Sequence, residues 1–162
     1  RSKYVNSSLY SLEYRETTAI LTFANPPQNA FNGPFVADLL QALDEVEQKT
    51  GIHCLIITGG IDKFFSTGYD LDWWMKNVNT GDTLEKFFES MNILLNRILL
   101  FPKGVIAAIN GHAFGQAVFI AGCADYRIMR DDRGWVNLPE VHINIPLVPS
   151  QFSIMKEILL MN

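Results

Sequence analysis

The stretch AAINGHAFGQAVFIAGCADYRIM, Ala107 to Met129, settles the fold class. Its front end belongs to the apolar run GVIAAIN, too short to cross a bilayer and closed by Gly111, which reads as a buried strand. A turn containing Gly115 follows, then a helix from about Gln116 to Cys123, then a second strand in DYRIM. Strand, glycine turn, short helix and strand in close succession are the parts of a crossover connection, so the chain is α/β.

The same alternation extends outward on both sides. TAILTFA (Thr18–Ala24) alternates apolar and polar positions as a strand does and stops at NPPQN, where two prolines forbid continuation. From Pro34 to Lys49, Phe35, Val36, Leu39, Leu40, Leu43 and Val46 form a helical stripe, with Gly51 placed to end it. IHCLIITG is a β-branched run bounded by glycines, hence another buried strand. Thr83 to Leu100 again shows helical spacing, MRDDRG reads as a solvated turn, and a last helix begins at Pro149.

The bulk numbers narrow the class further. A chain of 162 residues, 48% hydrophobic and 19% charged, is one globular domain with a sizeable core. Thirteen basic and 17 acidic side chains give a net charge of −4 without a basic cluster, which excludes an electrostatic footprint for nucleic acid. Cys54 and Cys123 sit in apolar company and read as buried free thiols, as in a reducing compartment. His53, His112 and His142 are scattered and the cysteines lack ligand spacing, so no metal site is expected. The chain opens on Arg1 and closes on SIMKEILLMN without a stop signal, which leaves open a processed product or a piece of something longer.

Three segments carry chemistry. In KFFSTGYDLDWW (Lys63–Trp74) a strand runs through Gly68 into a helical segment that Asp70 can cap. In NGHAFGQAV (Asn110–Val118) a second strand-to-helix turn carries Gly115. Such turns leave backbone N–H groups without helical partners, free to hold an oxyanion. The third segment is NLPEVHINIP (Asn137–Pro146), where Glu140 stands alone among Leu138, Val141, Ile143 and Ile145. Two sets of donors and one carboxylate suit removal of a proton next to a carbonyl.

FFSTGYDL, AAINGHAFGQAVFIAGCADYRIM and LPEVHINIPL, in that order, resemble the crotonase superfamily, also called the enoyl-CoA hydratase/isomerase family; LTFANPPQNAFN fits its first strand and loop. The resemblance covers Leu12 to Pro146. It implies an α/β spiral of ββα units over residues 1–162, with a C-terminal helical part missing or short. It also implies an acyl-CoA thioester substrate, no cofactor beyond the coenzyme A of that substrate, no membrane span, and, where the full-length family domain is present, a homotrimer or dimer of trimers. The family's compartments imply an intracellular protein of the peroxisome, the mitochondrion or, outside eukaryotes, the cytoplasm.

Residue by residue, the resemblance makes Tyr69 and Gln116 the backbone N–H donors of an oxyanion hole. It places Phe65, Ser66, Thr67, Gly68, Asp70, Leu71, Gly115, Phe119 and Pro139 in the substrate site, residues 65–67 beside the adenine. Hydratases of the family use two glutamates, and the matching positions here are Phe119 and Glu140. One acid is enough to move a double bond, because the group that takes the C2 proton can return it at C4. DYRIMRDDRGWVNLPEV also looks like the isomerase branch, including plant peroxisomal members. The expectation is therefore a Δ3-Δ2 enoyl-CoA isomerase with Glu140 as acid/base. The alternatives are an inactive crotonase-fold module that binds acyl-CoA or a protein, and another crotonase activity such as weak hydration.

Three aromatic or basic features have plainer readings. Trp73 and Trp74 read as helix-to-core packing ahead of an acyl tunnel, and His112 as a packing or hydrogen-bonding residue. His142, two residues after Glu140 in what reads as a strand, is placed to tune that glutamate.

Overall fold

Alternate burial along two adjacent segments builds the first hairpin. The computed structural model describes residues 4–6, 9–141, 147 and 149–160. Strand β2 (Tyr10–Arg15) pairs antiparallel with both β1 (Tyr4–Asn6) and β3 (Thr18–Phe23). Leu12 faces Leu21 across the β2–β3 pair, and Tyr10, Leu12, Tyr14, Ala19, Leu21 and Phe23 all turn inward. The sequence predicts β3; it gives no warning of β2, where Glu13 and Arg15 break up the apolar signal.

From β3 onward the pairing becomes parallel. β4 (Cys54–Gly59), β6 (Gly104–Ile109) and β8 (Tyr126–Met129) add in turn, giving a six-stranded sheet in the order β1-β2-β3-β4-β6-β8. Short strands β5 (Phe64–Ser66), β7 (His112–Phe114) and β9 (Val136–Asn137) form a second, three-stranded parallel sheet in the order β5-β7-β9. From β4 onward each turn of the chain gives one strand to each sheet, while the first turn gives β2 and β3 to the larger sheet ahead of the first helix. That is a spiral of ββα units.

Asn110 fixes one corner between the sheets: its Oδ1 accepts from Gly59 N at 3.0 Å and its Nδ2 donates to Ile61 O at 2.9 Å. Of the three short strands the sequence indicates only β5, since the two or three residues of β7 and β9 carry too little periodicity to distinguish them from a turn.

Helix α1 (Gly33–Gln48) is capped by Asn32, whose Oδ1 accepts from Phe35 N, and buries the stripe its sequence predicts. Its end falls at Lys49, ahead of Gly51. α2 (Leu71–Asn77) is short; α3 (Thr83–Leu99) buries Phe87, Met91, Leu94, Leu95 and Ile98 and is linked to α1 by Arg97, which reaches Asp44 and Glu47 at 2.7 Å. α4 (Gln116–Gly122) is buried from Gln116 through Ala121, and α5 (Pro149–Leu160) packs against it. The charged turn after β8 lies on the surface, with Arg130 and Arg133 both engaging Asp62. Cys54 and Cys123 are free thiols, and burial pushes Cys123 up to about 12.

Between the sheets and α1, Phe23, Phe31, Phe35 and Phe65 pack with ring centroids 5.4–6.0 Å apart. Each is at most 1% exposed, and a fully buried phenylalanine contributes roughly 1.5–3 kcal/mol. The loop after β3 is anchored to this cluster by Asn29, itself 0% exposed with φ of 55°. Its Oδ1 accepts from Asn25 N at 3.0 Å, its Nδ2 donates to Phe65 O at 3.1 Å, and its carbonyl accepts from Ser66 Oγ at 2.7 Å. Asn29→Ala leaves Asn25 N and Phe65 O buried without partners and forces alanine to positive φ. The expected loss is on the order of 3 kcal/mol, read as a lowered urea midpoint with an unchanged slope.

Candidate active site

The first turn is held from below by β5. Ser66 Oγ donates to Asn29 O and accepts from Gly68 N at 3.2 Å. Phe31 N donates to Gly68 O at 2.7 Å, and Asp70 N donates to Phe31 O at 2.9 Å. These two bonds bracket Tyr69, so its own N–H points away from Phe31, as the middle residue of a parallel bridge must. Asp70 then caps α2 by accepting from Trp73 N at 2.9 Å, and Asn32 Nδ2 donates to the other oxygen of Asp70.

The second turn stacks directly on the first. Gly68 has φ of 89°, and a Cβ there would lie 2.8 Å from Phe114 O and 3.2 Å from Gln116 N. No side chain fits between the turns, so the backbone at Gly68–Tyr69 approaches that at Gly115–Gln116. Gly115 N donates to Asn137 O at 2.9 Å, tying the second turn to β9. Gln116 N opens α4, where no preceding turn supplies an acceptor. Neither Tyr69 N nor Gln116 N donates to another described residue.

Glu140 arrives from the third segment. Pro139–Val141 form a 3-10 turn after β9, not the strand the alternation suggested, because Pro139 cannot extend the ladder and the chain turns back towards α4. The expectation that Glu140 and His142 share a strand face therefore fails at Glu140; His142 itself lies outside the described residues. Glu140 is 5% exposed, and a Cβ on Gly115, whose φ is 54°, would sit 2.7 Å from its Oε1. Its Oε2 is buried without a hydrogen bond. Burial pushes the carboxyl above its ordinary value, with a bond from its own backbone N–H pulling the other way. Tyr69 is close enough to feel it: burial first, then the charge of Glu140, push the phenol upward.

The structure thus gathers Gly68, Tyr69, Gly115, Gln116, Pro139 and Glu140 around one point. Phe119 follows Gln116 by one helical turn and is 0% exposed. Phe65 and Ser66 are wholly buried, so anything they offer a ligand comes through the backbone; Thr67 is half-buried with Oγ1 unpartnered, and Leu71 is exposed. Trp73 and Trp74 pack on Phe87 and Phe88, each at 5.0 Å, with Tyr69 against Trp74, Phe87 and Phe88. His112 lies between Phe64 and Phe114 and its Nδ1 accepts from Trp135 N.

Two features escaped the sequence. Gln151 of α5 is 5% exposed; its Nε2 donates to Gln116 Oε1 at 2.6 Å and approaches the Tyr69 hydroxyl at 3.5 Å. Gln151 shares α5 with Ser150, Ser153, Lys156 and Glu157, so nothing in the sequence singles it out. The second is a cavity of about 330 Å³ between the loop Asn25–Gln28 and the start of α2, bordered by Asp70, Asp72, Trp73 and Lys76.

A buried carboxyl with a raised pKa, beside two free backbone donors, can take a proton from carbon next to a carbonyl whose oxygen rests on those donors. Among the described residues no three His, Cys, Asp or Glu side chains are grouped to hold a metal ion, and no helix is long and apolar enough to cross a membrane.

Comparison with known sequences gives this spiral a family. The family described as Enoyl-CoA hydratase/isomerase matches residues 13–151, and the chain belongs to that family. Enoyl-CoA delta isomerase 3 of Arabidopsis thaliana is 33% identical over 145 residues, covering 88% of this chain and 60% of that protein. A probable enoyl-CoA hydratase of Bacillus subtilis is 34% identical over 135 residues, covering 83% of this chain and 51% of that protein. The chain therefore spans between half and two thirds of the length of these relatives. A crystal structure from Magnetospirillum magneticum, described as an enoyl-CoA hydratase/carnithine racemase, superposes with a TM-score of 0.86 at 22% identity. It covers 95% of this chain and 57% of that one, and it shows the shared fold.

Because the Glu140 pKa is raised on folding, its contribution to stability is fully present below the ordinary value of 4.5 and is lost as pH rises through the folded value. Glu140→Gln is accordingly expected to be more stable than the wild type at pH 8, with a Tm higher by a few degrees. Melting curves from pH 8 down to 4 should show the gap closing; a constant gap would mean the carboxylate is not strained by burial.

Proposed function

We propose that the chain shifts the double bond of a 3-enoyl-CoA to give the trans-2-enoyl-CoA. The observation that carries this reading is Glu140 as the one buried carboxylate among the described residues, with the wholly buried Phe119 where a second acid would serve hydration. The thioester oxygen rests on the N–H groups of Tyr69 and Gln116. Glu140 takes a proton from C2, the electron pair spreads through the C3–C4 double bond towards the thioester oxygen, and the two donors carry the dienolate. The protonated Glu140 then delivers the same proton to C4, leaving a C2–C3 double bond and a carboxylate ready for another cycle. A raised pKa suits both halves: the carboxylate is a stronger base and its acid holds the proton long enough to return it. Phe119 keeps water from the dienolate, and hydration would need a second group to activate that water.

The name of the Arabidopsis relative supports isomerisation, while the name of the Bacillus relative supports hydration, at similar identity. In this reading the cavity beside Lys76 takes the pantetheine and diphosphate of coenzyme A, with the lysine set against the phosphates.

Purified protein given 3-enoyl-CoA should produce the conjugated thioester absorbance, and Glu140→Gln should lose at least 1,000-fold in kcat with KM little changed, roughly 4 kcal/mol of barrier. Hydration of 2-enoyl-CoA without isomerisation would overturn the assignment; binding without either reaction would favour an inactive acyl-CoA-binding module. Lys76→Glu should raise KM about tenfold at unchanged kcat, an effect that weakens in high salt.

A further inference from the structure

Three buried side-chain atoms lack any hydrogen-bond partner among the described residues: Thr67 Oγ1, Gln116 Nε2 and Glu140 Oε2. All three belong to the two turns and the glutamate. Glu140 Oε2 is explained by its work as a base, which needs a free lone pair. Gln116 Nε2 has no such explanation in the proposed isomerisation, where only the backbone N–H of that residue acts.

The amide of Gln116 is fixed. It is 0% exposed, and its Oε1 accepts from Gln151 Nε2 at 2.6 Å, so the opposite end of the group, the NH2, is the one left over. Gln151 also approaches the Tyr69 hydroxyl, which feels the charge of Glu140, and Gly115, the residue before Gln116, touches Glu140 Oε1. The free NH2 therefore belongs to the residue next to the one that faces Glu140. A tie that served only to join α4 to α5 would leave no buried donor unused, since such groups are nearly always satisfied in folded proteins.

We propose that Gln116 Nε2 is a specificity donor: it hydrogen-bonds an acceptor oxygen on the acyl chain, so the preferred substrate is an oxygenated acyl-CoA rather than a plain hydrocarbon one. This rests on the reading of the site as an acyl-CoA site. A pocket with a buried donor discriminates against a ligand lacking the matching acceptor, because binding such a ligand seals the donor away from water unpaired.

The test is calorimetric binding of saturated six-carbon acyl-CoA esters, unsubstituted or carrying an oxo group at C3, C4 or C5. Wild type should bind one oxo ester at least tenfold more tightly than the unsubstituted ester. Gln116→Met, of similar length but without the amide, should remove or reverse that preference, read as the ratio of the two esters' affinities on the same variant. Gln151→Leu, which frees the amide without deleting it, should weaken the preference, and melting curves of both variants establish that they fold. Equal binding of all four esters by wild type, or a preference that survives Gln116→Met, overturns the proposal while leaving the acyl-CoA reading intact. Failure of every ester to bind overturns the acyl-CoA reading itself, and this inference with it.

Discussion

The rest of the site depends on the close approach of the Glu140 carboxylate to Gly115. A Cβ there would meet the end of the Glu140 side chain, so glycine lets the acid close on the turn. The same turn is pinned on its other face by Gly68, again too close for a Cβ, and through Gly68 to Phe31. Three segments far apart in sequence are thereby locked at van der Waals distance. The two parallel sheets make this possible: β5, β7 and β9 end side by side, and each turn begins where its strand stops. Positioning of this kind costs little reorganisation during reaction, which is why fixed backbone donors outperform mobile side chains or water.

Much of this was legible in the residues. The long helices α1 and α3 carry clean stripes of buried positions, and β3, β4 and β6 carry β-branched or alternating runs. Gly68, Gly115 and Glu140 were conspicuous as two glycine turns and one isolated acid. Sequence could not show that the glycines face one another, since that follows from tertiary register between β5 and β7. Nor could it show β2, or β7 and β9 of the second sheet, whose few residues owe their conformation to neighbours rather than to their own pattern. The alternation after Pro139 misled for a related reason: apolar residues at alternate positions also occur in a tight turn that buries both sides.

Gln116 shows a different limit. From sequence its side chain was only an extra volume where the family resemblance concerns a backbone N–H. In the fold it becomes half of a buried amide pair, because α5 returns across α4 and brings Gln151 within 2.6 Å. Polar residues in apolar helices are hard to interpret without their partners, and these partners are 35 positions apart in the chain.

Phe119 and Glu140 are both buried, and burial is what pushes the carboxyl above its ordinary value. Introducing Glu at 119 would therefore do more than add a missing acid. In the proposed site, two buried carboxylates facing one substrate would repel, so one would hold a proton up to higher pH and the other would titrate lower. In the proposed reaction, the burial that destabilises the ionised Glu140 is the same property that lets it take a proton from carbon and keep it dry until it is returned.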